Sequence, residues 1–268
     1  MISPLTAHPY EGMTDPNTAS DTIDEFNVAA ANSQQQDIDF SAIRLQLTDG
    51  SEKVQQQLIQ KLATLGNAGE AVLMEFLLQR RSGPPTWVDG NAYQVIHNAN
   101  SPAAKEFLHT YFPTGIVPLN SERSIDYRHL QQLLTAQDFQ AADRMTLQKL
   151  CELAGPEAVQ RKWLYFTEVK NFTITDLQTI NSLWLVHSEG KFGFSIQREI
   201  WLSLGKNWEK FWPKIGWKTG NNWTRYPDGF TWNISAPTGH LPLSNQLRGV
   251  RVIASLLSHP AWVSTGTR

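Results

Sequence analysis

The sequence predicts an all-α protein, made of an N-terminal helical bundle followed by a second, mostly helical domain. Apolar residues recur at helical spacing from about residue 50 onward. Glycine and proline end these stretches, as is typical of helix C-termini. The 268 residues, of which 41% are hydrophobic, allow one large or two modest domains with a proper core.

Residues 1–43 are predicted to be an acidic flexible tail. Positions 1–40 contain seven carboxylates and no Lys or Arg, and three glutamines stand in a row at 34–36. With few large apolar groups, this stretch buries too little surface to offset the entropy of ordering it. Its acidic composition also differs from that of a secretory signal, which needs a basic start, or of an Arg-rich transit peptide.

Residues 44–115 are predicted to form a bundle of short helices. One apolar helical face ends at Gly66, and a second apolar stretch from Ala71 to Leu78 completes a helical hairpin. Ser101 followed by Pro102 is typical of a helix N-terminus. The bundle has no polar cluster that suggests chemistry, so a scaffold or docking role is expected for it.

A second domain is predicted after the Pro- and Gly-containing stretch 113–124. Its helices are expected at the stretches with helical spacing, near 130–134, 147–154, 175–187 and 195–204. Cys151 lies on the apolar face of the second of these and is therefore predicted to be a core residue. As the single cysteine of the chain it forms no internal disulfide, which favours a reducing compartment.

Nine of the ten tryptophans lie at or beyond position 163, and many of them fall in a loop broken by glycine and proline at 206–242. Trp184 and Trp201 lie on helical faces and are predicted to be core residues. Trp223, Phe230 and Trp232 lie where the chain is irregular and are predicted to line a mouth or cleft. The stretch around Pro227-Asp228-Gly229 also has the pattern of a β-hairpin.

A final helix is predicted from Ser244 to Ser258. Its buried side would carry Leu247, Val250, Ala254 and Leu257, and its opposite side Asn245, Arg248, Arg251 and Ser255. Aromatic rings beside two guanidinium groups suit a flat apolar ligand with carboxylates at its rim, such as a tetrapyrrole. From spacing alone, a solvated surface is the favoured explanation of the two arginines.

Catalytic and metal-binding patterns are weak throughout the sequence. The histidines lack metal-ligand spacing, and Ser195 and Ser244 are interpreted as helix caps and not as nucleophiles. A carbohydrate-binding or glycoside-hydrolysing module, with the tryptophans as sugar platforms and two of the carboxylates as catalysts, stays open as an alternative. The carboxylates considered are Glu168, Asp176, Glu189 and Asp228. A pure interaction scaffold is a further alternative.

Composition excludes several classes of protein. A formal charge of −2 and a pI near 6.4 argue against a general nucleic-acid binder. No segment approaches the roughly 18 continuous apolar residues that span a bilayer. A cytoplasmic protein is therefore expected.

Several stretches together resemble a known family. They are Tyr127 to Asp143; Trp163-Leu164-Tyr165-Phe166; Thr175 to Trp184; Gly190-Lys191-Phe192-Gly193-Phe194-Ser195; Gly216-Trp217; and Ser235-Ala236-Pro237-Thr238-Gly239-His240-Leu241-Pro242. These motifs, spread over residues 118–263, resemble the genomes-uncoupled tetrapyrrole-binding family, the porphyrin-binding activators of magnesium chelatase. The resemblance implies a mostly helical domain shaped like a cupped hand, which argues against the hairpin. It also implies a cyanobacterial type of protein, because the helical pattern of 44–115 resembles the N-terminal bundle of cyanobacterial members.

The resemblance further implies a function and a set of contacts. The expected ligands are protoporphyrin IX and Mg-protoporphyrin IX, with no tightly required cofactor, no catalytic residue and no metal ligand. The expected partner is the large porphyrin-binding subunit of magnesium chelatase, and the expected location is the cyanobacterial cytosol, with room for peripheral association at the thylakoid membrane. The family's porphyrin contacts match Phe166, Val169, Trp223, Phe230, Asn245, Arg248 and Arg251.

Overall fold

The computed structural model describes residues 38–243 and 250–263, and their architecture is all-α, as predicted from the sequence. The predicted acidic tail lies almost entirely outside the described residues, as do Ser244, Asn245, Leu247 and Arg248. Within the described ranges, no helix has both the length and the apolar composition needed to cross a bilayer.

The N-terminal half is a bundle of helical hairpins, whose helices are joined by short turns. Its helices are α1 (Phe40–Asp49), α2 (Glu52–Ala63), α3 (Gly66–Arg80), α4 (Trp87–Asn98) and α5 (Pro102–Tyr111). The predicted hairpin corresponds to α2 and α3. The Ser101 side chain accepts a hydrogen bond from the Ala104 amide and Pro102 is the first residue of α5, so the predicted N-cap is confirmed.

The C-terminal half contains the remaining helices of the described residues. They are α6 (Arg128–Thr135), α7 (Phe139–Ala154), α8 (Pro156–Arg161), α9 (Phe166–Val169), α10 (Ile174–Val186), α11 (Phe194–Ser203), α12 (Trp208–Lys214) and α13 (Arg251–Leu257), followed by a 3₁₀ turn at Pro260–Trp262. Helix α7 begins earlier than its apolar spacing predicts because Asp138 caps it, its carboxylate accepting from the Ala141 amide. Cys151 is buried on α7, as predicted, and burial raises the pKa of its thiol to about 11, so it is unreactive.

The two halves are joined by a contact between backbones. The described residues from 41 onward form one compact unit. Helices α4 and α10 approach so closely at Gly90 that a Cβ atom there would lie 1.8 Å from the carbonyl oxygen of Val186. Gln94 of α4 bridges the same interface, with its side-chain amide donating to the carbonyl of Thr135 at 2.9 Å. Glycine at position 90 is therefore required by the packing of one half against the other.

An aromatic core, built from α11, α12, α13 and the loop between them, fills the C-terminal half. Its buried members are Trp201, Phe211, Trp212, Ile215, Trp217, Phe230, Ile253 and Leu257. Four of the indoles form a stacked series, with ring centroids 4.9 Å apart for Trp201 and Trp208, 5.0 Å for Trp208 and Trp212, and 5.7 Å for Trp212 and Trp217. Trp184 lies in a separate buried group against Phe139, so both tryptophans predicted as core residues are confirmed.

Two local predictions are wrong, and the hairpin pattern at Pro227, which the family resemblance argues against, does not form a hairpin there. The only strands of the described residues are Lys218–Thr219 (β1) and Asn222–Trp223 (β2), which pair around Gly220. The hairpin of the structure therefore lies before Pro227, whereas the sequence pattern indicated a hairpin at Pro227. Ser195 does not cap α11, because Gly193 holds that position and Ser195 bonds to Asn181 instead.

The buried face of the last helix also differs from the prediction. Val250 is 38% exposed, and the buried face of α13 is formed by Val252, Ile253, Leu256 and Leu257. The apolar residues of this helix cover more than half of its circumference, so spacing alone does not select the face. Arg251 is exposed, as predicted.

Candidate functional site

The short helix α9 and the start of α13 lie side by side and bring together two residues predicted to contact a ligand. The guanidinium carbon of Arg251 lies 5.5 Å from the ring centroid of Phe166, which is half-buried. This distance is within the range of a cation–π interaction. No ion pair within the described ranges involves Arg251, so its five N–H donors can meet a carboxylate.

Helix α9 is fixed at both its ends. The Glu168 carboxylate accepts the Tyr165 amide at 2.8 Å and an Arg161 N–H at 2.6 Å. Val169 is fully buried, with 0% exposure, and anchors the helix to the core. Val169 therefore supports the position of Phe166 and presents no surface of its own.

The aromatic loop contributes one exposed ring and one buried ring of the predicted set. Trp223 is 48% exposed, with its indole 5.5 Å from that of Trp212 and the Lys218 ammonium 5.6 Å from it. Phe230 is only 5% exposed and belongs to the aromatic core, with His240 at 5.3 Å. Trp232 is partly buried, and its indole N–H donates to the Pro227 carbonyl at 2.9 Å. Of the three rings expected at a mouth, Trp223 is the most exposed.

Tyr226 is an exposed aromatic residue that sequence reasoning did not select. It is 47% exposed and meets Trp232 edge-on, with a centroid distance of 5.9 Å. The available signal was its place beside Pro227 in the aromatic loop. This position does not distinguish Tyr226 from the other aromatic residues of the loop, because aromatic residues occur along the whole loop.

Residues 239–243, the anchored segment, are held in place by hydrogen bonds from several parts of the chain. The bonds join the Gly239 amide to the Lys191 carbonyl (2.8 Å), Gln197 Nε2 to the Gly239 and Pro242 carbonyls (3.0 and 2.8 Å), Trp217 Nε1 to the His240 carbonyl (2.8 Å), the Gly193 amide to the Leu241 carbonyl (3.0 Å) and the Leu243 amide to an Asp143 carboxylate oxygen (2.6 Å). The Leu241–Pro242 peptide within it is cis.

His240 is a structural residue of the anchored segment. The Thr231 amide donates to its Nε2 at 3.2 Å, so Nε2 is unprotonated and Nδ1–H donates to the Ile215 carbonyl at 2.7 Å. Burial lowers the pKa of the imidazole, which keeps it neutral. The Gly-His-Leu-Pro motif therefore acts through folding and not through a charged histidine.

Three of the four carboxylates considered for glycoside hydrolysis form hydrogen bonds within the fold, and the fourth, Asp228, is exposed. Asp176 accepts hydrogen bonds from the hydroxyls of Ser121, Tyr127 and Thr173 and from the Glu122 amide. Burial acts to raise the pKa of Asp176, but these bonds outweigh it and hold the pKa below its ordinary value. Glu168 is committed to α9, and Glu189 accepts from Gln56. In the part of the chain that the structure describes, no group of three His, Cys, Asp or Glu side chains is placed to hold a metal ion.

Comparison with known proteins gives matches over most of the chain. Residues 120–260 match the GUN4-like family model, and residues 31–113 match that of an ARM-like repeat domain found at the GUN4 N-terminus. The chain is 54% identical over 222 residues to a Ycf53-like protein of Synechocystis, covering 82% of this chain and 95% of that protein.

Two further relatives each match about half of this chain. A chloroplastic tetrapyrrole-binding protein of Arabidopsis thaliana is 40% identical over 144 residues, which are 50% of this chain and 54% of that protein. The solved structure of GUN4 from Chlamydomonas reinhardtii superposes with a TM-score of 0.52 at 42% identity, covering 55% of this chain and 95% of that one. The chain therefore belongs to the GUN4 family, as a member of the cyanobacterial type with an N-terminal ARM-like repeat domain.

Proposed function

We propose that this protein is a non-enzymatic regulator that binds protoporphyrin IX and Mg-protoporphyrin IX and stimulates magnesium chelatase. Membership of the GUN4 family supports this proposal, as does the tetrapyrrole-binding relative from Arabidopsis thaliana. The observation that carries it is the contact of the half-buried Phe166 ring with the guanidinium of Arg251, which forms no ion pair with any residue that the structure describes.

This pairing suits the two chemical features of a porphyrin. The macrocycle is flat and apolar, so it gains from contact with an aromatic ring that is partly open to solvent. Its propionates are carboxylates, which a guanidinium binds through two parallel hydrogen bonds. Arg251 would thus orient the ligand at its rim while Phe166 contacts its face.

The exposed rings of Trp223 and Tyr226 extend the proposed surface. Each presents apolar area at the edge of the aromatic core: Trp223 lies against Trp212 and beside the cationic Lys218, and Tyr226 lies against Trp232. Val169 and Phe230 would support this surface from behind. Asn245 and Arg248 complete the proposed contact set on the strength of the family resemblance.

The proposed chemistry needs no catalytic group from this chain. The four nitrogens of the macrocycle hold the magnesium, and the partner enzyme inserts it. Micromolar affinity corresponds to about −8 kcal/mol. Burial of several hundred Å² of porphyrin surface, at about 25 cal/mol per Å², supplies this before the costs of association are subtracted.

A titration with deuteroporphyrin IX tests the binding proposal. We expect saturable quenching of tryptophan emission together with a shift of the porphyrin absorption band. Arg251→Glu and Phe166→Ala should each weaken binding by about tenfold, since each removes a contact worth about 1–2 kcal/mol.

Arg81→Glu is the matched control for Arg251→Glu. Arg81 is also exposed and also lies over an aromatic ring, with its guanidinium carbon 5.8 Å from the ring centroid of Tyr111, but it belongs to the N-terminal bundle. Its substitution should leave porphyrin affinity unchanged. Absence of saturable binding by the unmodified chain would refute the proposed ligand, and equal effects of the two arginine substitutions would refute the proposed site.

The partner is tested separately. The full chain should co-purify with the large porphyrin-binding subunit of magnesium chelatase and should raise the initial rate of magnesium insertion by the assembled enzyme. The Arg251→Glu variant should co-purify but stimulate less, because only its porphyrin site is impaired. A rate that does not change on addition of the unmodified chain would exclude the regulatory role.

A further inference from the structure

Arg161, the last residue of α8, holds the start of α9 through Glu168. One Nη of Arg161 lies 2.6 Å from a Glu168 carboxylate oxygen, and the two side chains are only 22% and 20% exposed. The other oxygen of Glu168 accepts the Tyr165 amide at 2.8 Å. Tyr165 is the N-cap of α9 and Phe166 its first residue, so this bond fixes the chain immediately before the ring that Arg251 contacts.

Two aromatic rings also place the guanidinium of Arg161. Its central carbon lies 5.0 Å from the ring centroid of Trp163 and 4.5 Å from that of Tyr165, and these two centroids are 4.5 Å apart. A second carboxylate, that of Glu157, lies 4.0 Å from Arg161 but is 90% exposed, so water screens this pair. The partly buried partner of Arg161 is therefore Glu168.

Helix α9 depends on contacts at its two ends for its position. It has only four residues, and a single helical turn is not stable by itself. The buried side chain of Val169 holds its C-terminal end, whereas Glu168, itself held by Arg161, binds the amide of its N-cap. Phe166 lies at the N-terminal end, so the placement of its ring depends on the contacts of Glu168.

We propose that Arg161 is a positioning residue for the porphyrin site: by holding Glu168 over the start of α9, it keeps the Phe166 ring where it meets the face of the ligand. This inference rests on the proposed porphyrin function. When the ring is correctly placed for only a fraction of the time, the apparent affinity falls by that fraction. Loss of Arg161 should therefore weaken binding by no more than loss of the ring itself.

A double-mutant cycle of Arg161→Met and Phe166→Ala tests the positioning role. Methionine keeps an unbranched side chain beside the two rings but removes the ion pair. For deuteroporphyrin IX, each single substitution should weaken binding, by about tenfold for Phe166→Ala and by about threefold to tenfold for Arg161→Met. The double variant should lose no more than about tenfold, because Arg161 then has no ring to place. An effect of Arg161 on general stability or on charge would be equal in both backgrounds, and the losses would multiply.

Lys170→Met is the matched control for the lost positive charge. Lys170 directly follows α9, is exposed, and forms no ion pair with any residue that the structure describes. Its substitution should change the affinity by less than about twofold. Arg161→Lys keeps a cation that can pair with Glu168 and should restore most of the affinity lost in Arg161→Met.

Amide hydrogen exchange over residues 165–172, measured without ligand, tests the positioning role independently. Exchange should be faster in Arg161→Met than in Lys170→Met, because the ion pair that holds Glu168 is missing. If the unmodified chain binds no porphyrin, the proposed function fails. The exchange result alone then decides whether Arg161 holds α9: faster exchange supports this role and equal exchange refutes it.

If porphyrin binds, the cycle decides. The positioning role is refuted when Arg161→Met retains the affinity of the unmodified chain, or when its loss multiplies with that of Phe166→Ala. Should Arg161→Met not fold, Glu168→Gln takes its place in the same cycle with the same outcomes. Glutamine keeps an acceptor for the Tyr165 amide but removes the charge with which Arg161 pairs.

Discussion

His187 should make the protein less stable as the pH falls, and its replacement by glutamine should remove that effect. The imidazole is buried at the C-terminal end of α10, 6.2 Å from the ring of Tyr93. Neither of its nitrogens has a hydrogen-bond partner among the described residues. Burial lowers the pKa of His187 from 6.5 to about 4, and the nearby His97 acts in the same direction. Protonation of this ring therefore strongly favours the unfolded chain.

The size and sign of the effect follow from proton linkage. Between pH 6.5 and about 4 the unfolded chain binds a proton at this residue that the folded chain does not, so stability falls as the pH falls. The full change over this window is about 3 kcal/mol. Glutamine keeps a buried polar group but does not titrate, so His187→Gln should gain more than about 2 kcal/mol relative to the unmodified chain between about pH 8 and about pH 4.5.

Urea unfolding at a series of pH values, followed by circular dichroism, measures this difference. His109→Gln is the control, because His109 is exposed on α5 and its substitution should leave the pH profile unchanged. If the profile of His187→Gln runs parallel to that of the unmodified chain, the buried neutral state assigned to His187 is wrong.

Three further substitutions are expected to change stability, each measured by the same urea unfolding. Asp143→Asn should show the opposite pH dependence to His187→Gln. Because burial raises the pKa of Asp143 from 3.8 to about 7, ionisation of this carboxyl lowers the stability of the folded protein as the pH rises. The variant should therefore gain about 4 kcal/mol of stability relative to the unmodified chain between about pH 4 and about pH 8. A constant difference across this range would contradict the raised pKa. Gly90→Ala should destabilise the protein by more than about 2 kcal/mol, because its methyl group would overlap the Val186 carbonyl. Gly83→Ala is the control and should be nearly neutral, because the nearest atom to the added methyl group is 3.6 Å away. Equal effects of the two substitutions would show that α4 and α10 are not in backbone contact. Phe230→Ala should cost about 3 kcal/mol, since this ring is in the aromatic core, and a loss below about 1 kcal/mol would place it at the surface instead.

The helices could be predicted from the sequence because their signals are local. Apolar spacing, Ser101 before Pro102 and the glycines after helices each act within one or two turns, and the structure retains them. The hairpin was missed for the same reason: Pro227-Asp228-Gly229 and Gly220-Asn221 are both good turn sequences, and only packing against the aromatic core selects the second.

The candidate site could be predicted only in part. The exposed position of Arg251 follows from helical spacing. Its position over Phe166 depends on how α9 packs against α13, and the periodicity of the sequence gives no information on this packing. Phe230 and Trp223 lie in the same irregular loop and differ almost tenfold in exposure. The bond between Asp143 and Leu243 joins residues 100 positions apart, so no local pattern marks it. Contacts to the porphyrin by all seven predicted residues stay predictions.

The stacked tryptophans have a consequence for how the protein responds to light. Indoles whose centroids lie about 5–6 Å apart exchange electronic excitation efficiently. The series runs through Trp201, Trp208, Trp212 and Trp217, and its member Trp212 lies 5.5 Å from the exposed Trp223. Light absorbed anywhere along this series can therefore migrate to the ring nearest solvent. A pigment bound at Trp223 would accept excitation from the whole series. Its binding at this one position would therefore reduce the tryptophan emission of the protein by more than contact with a single ring accounts for.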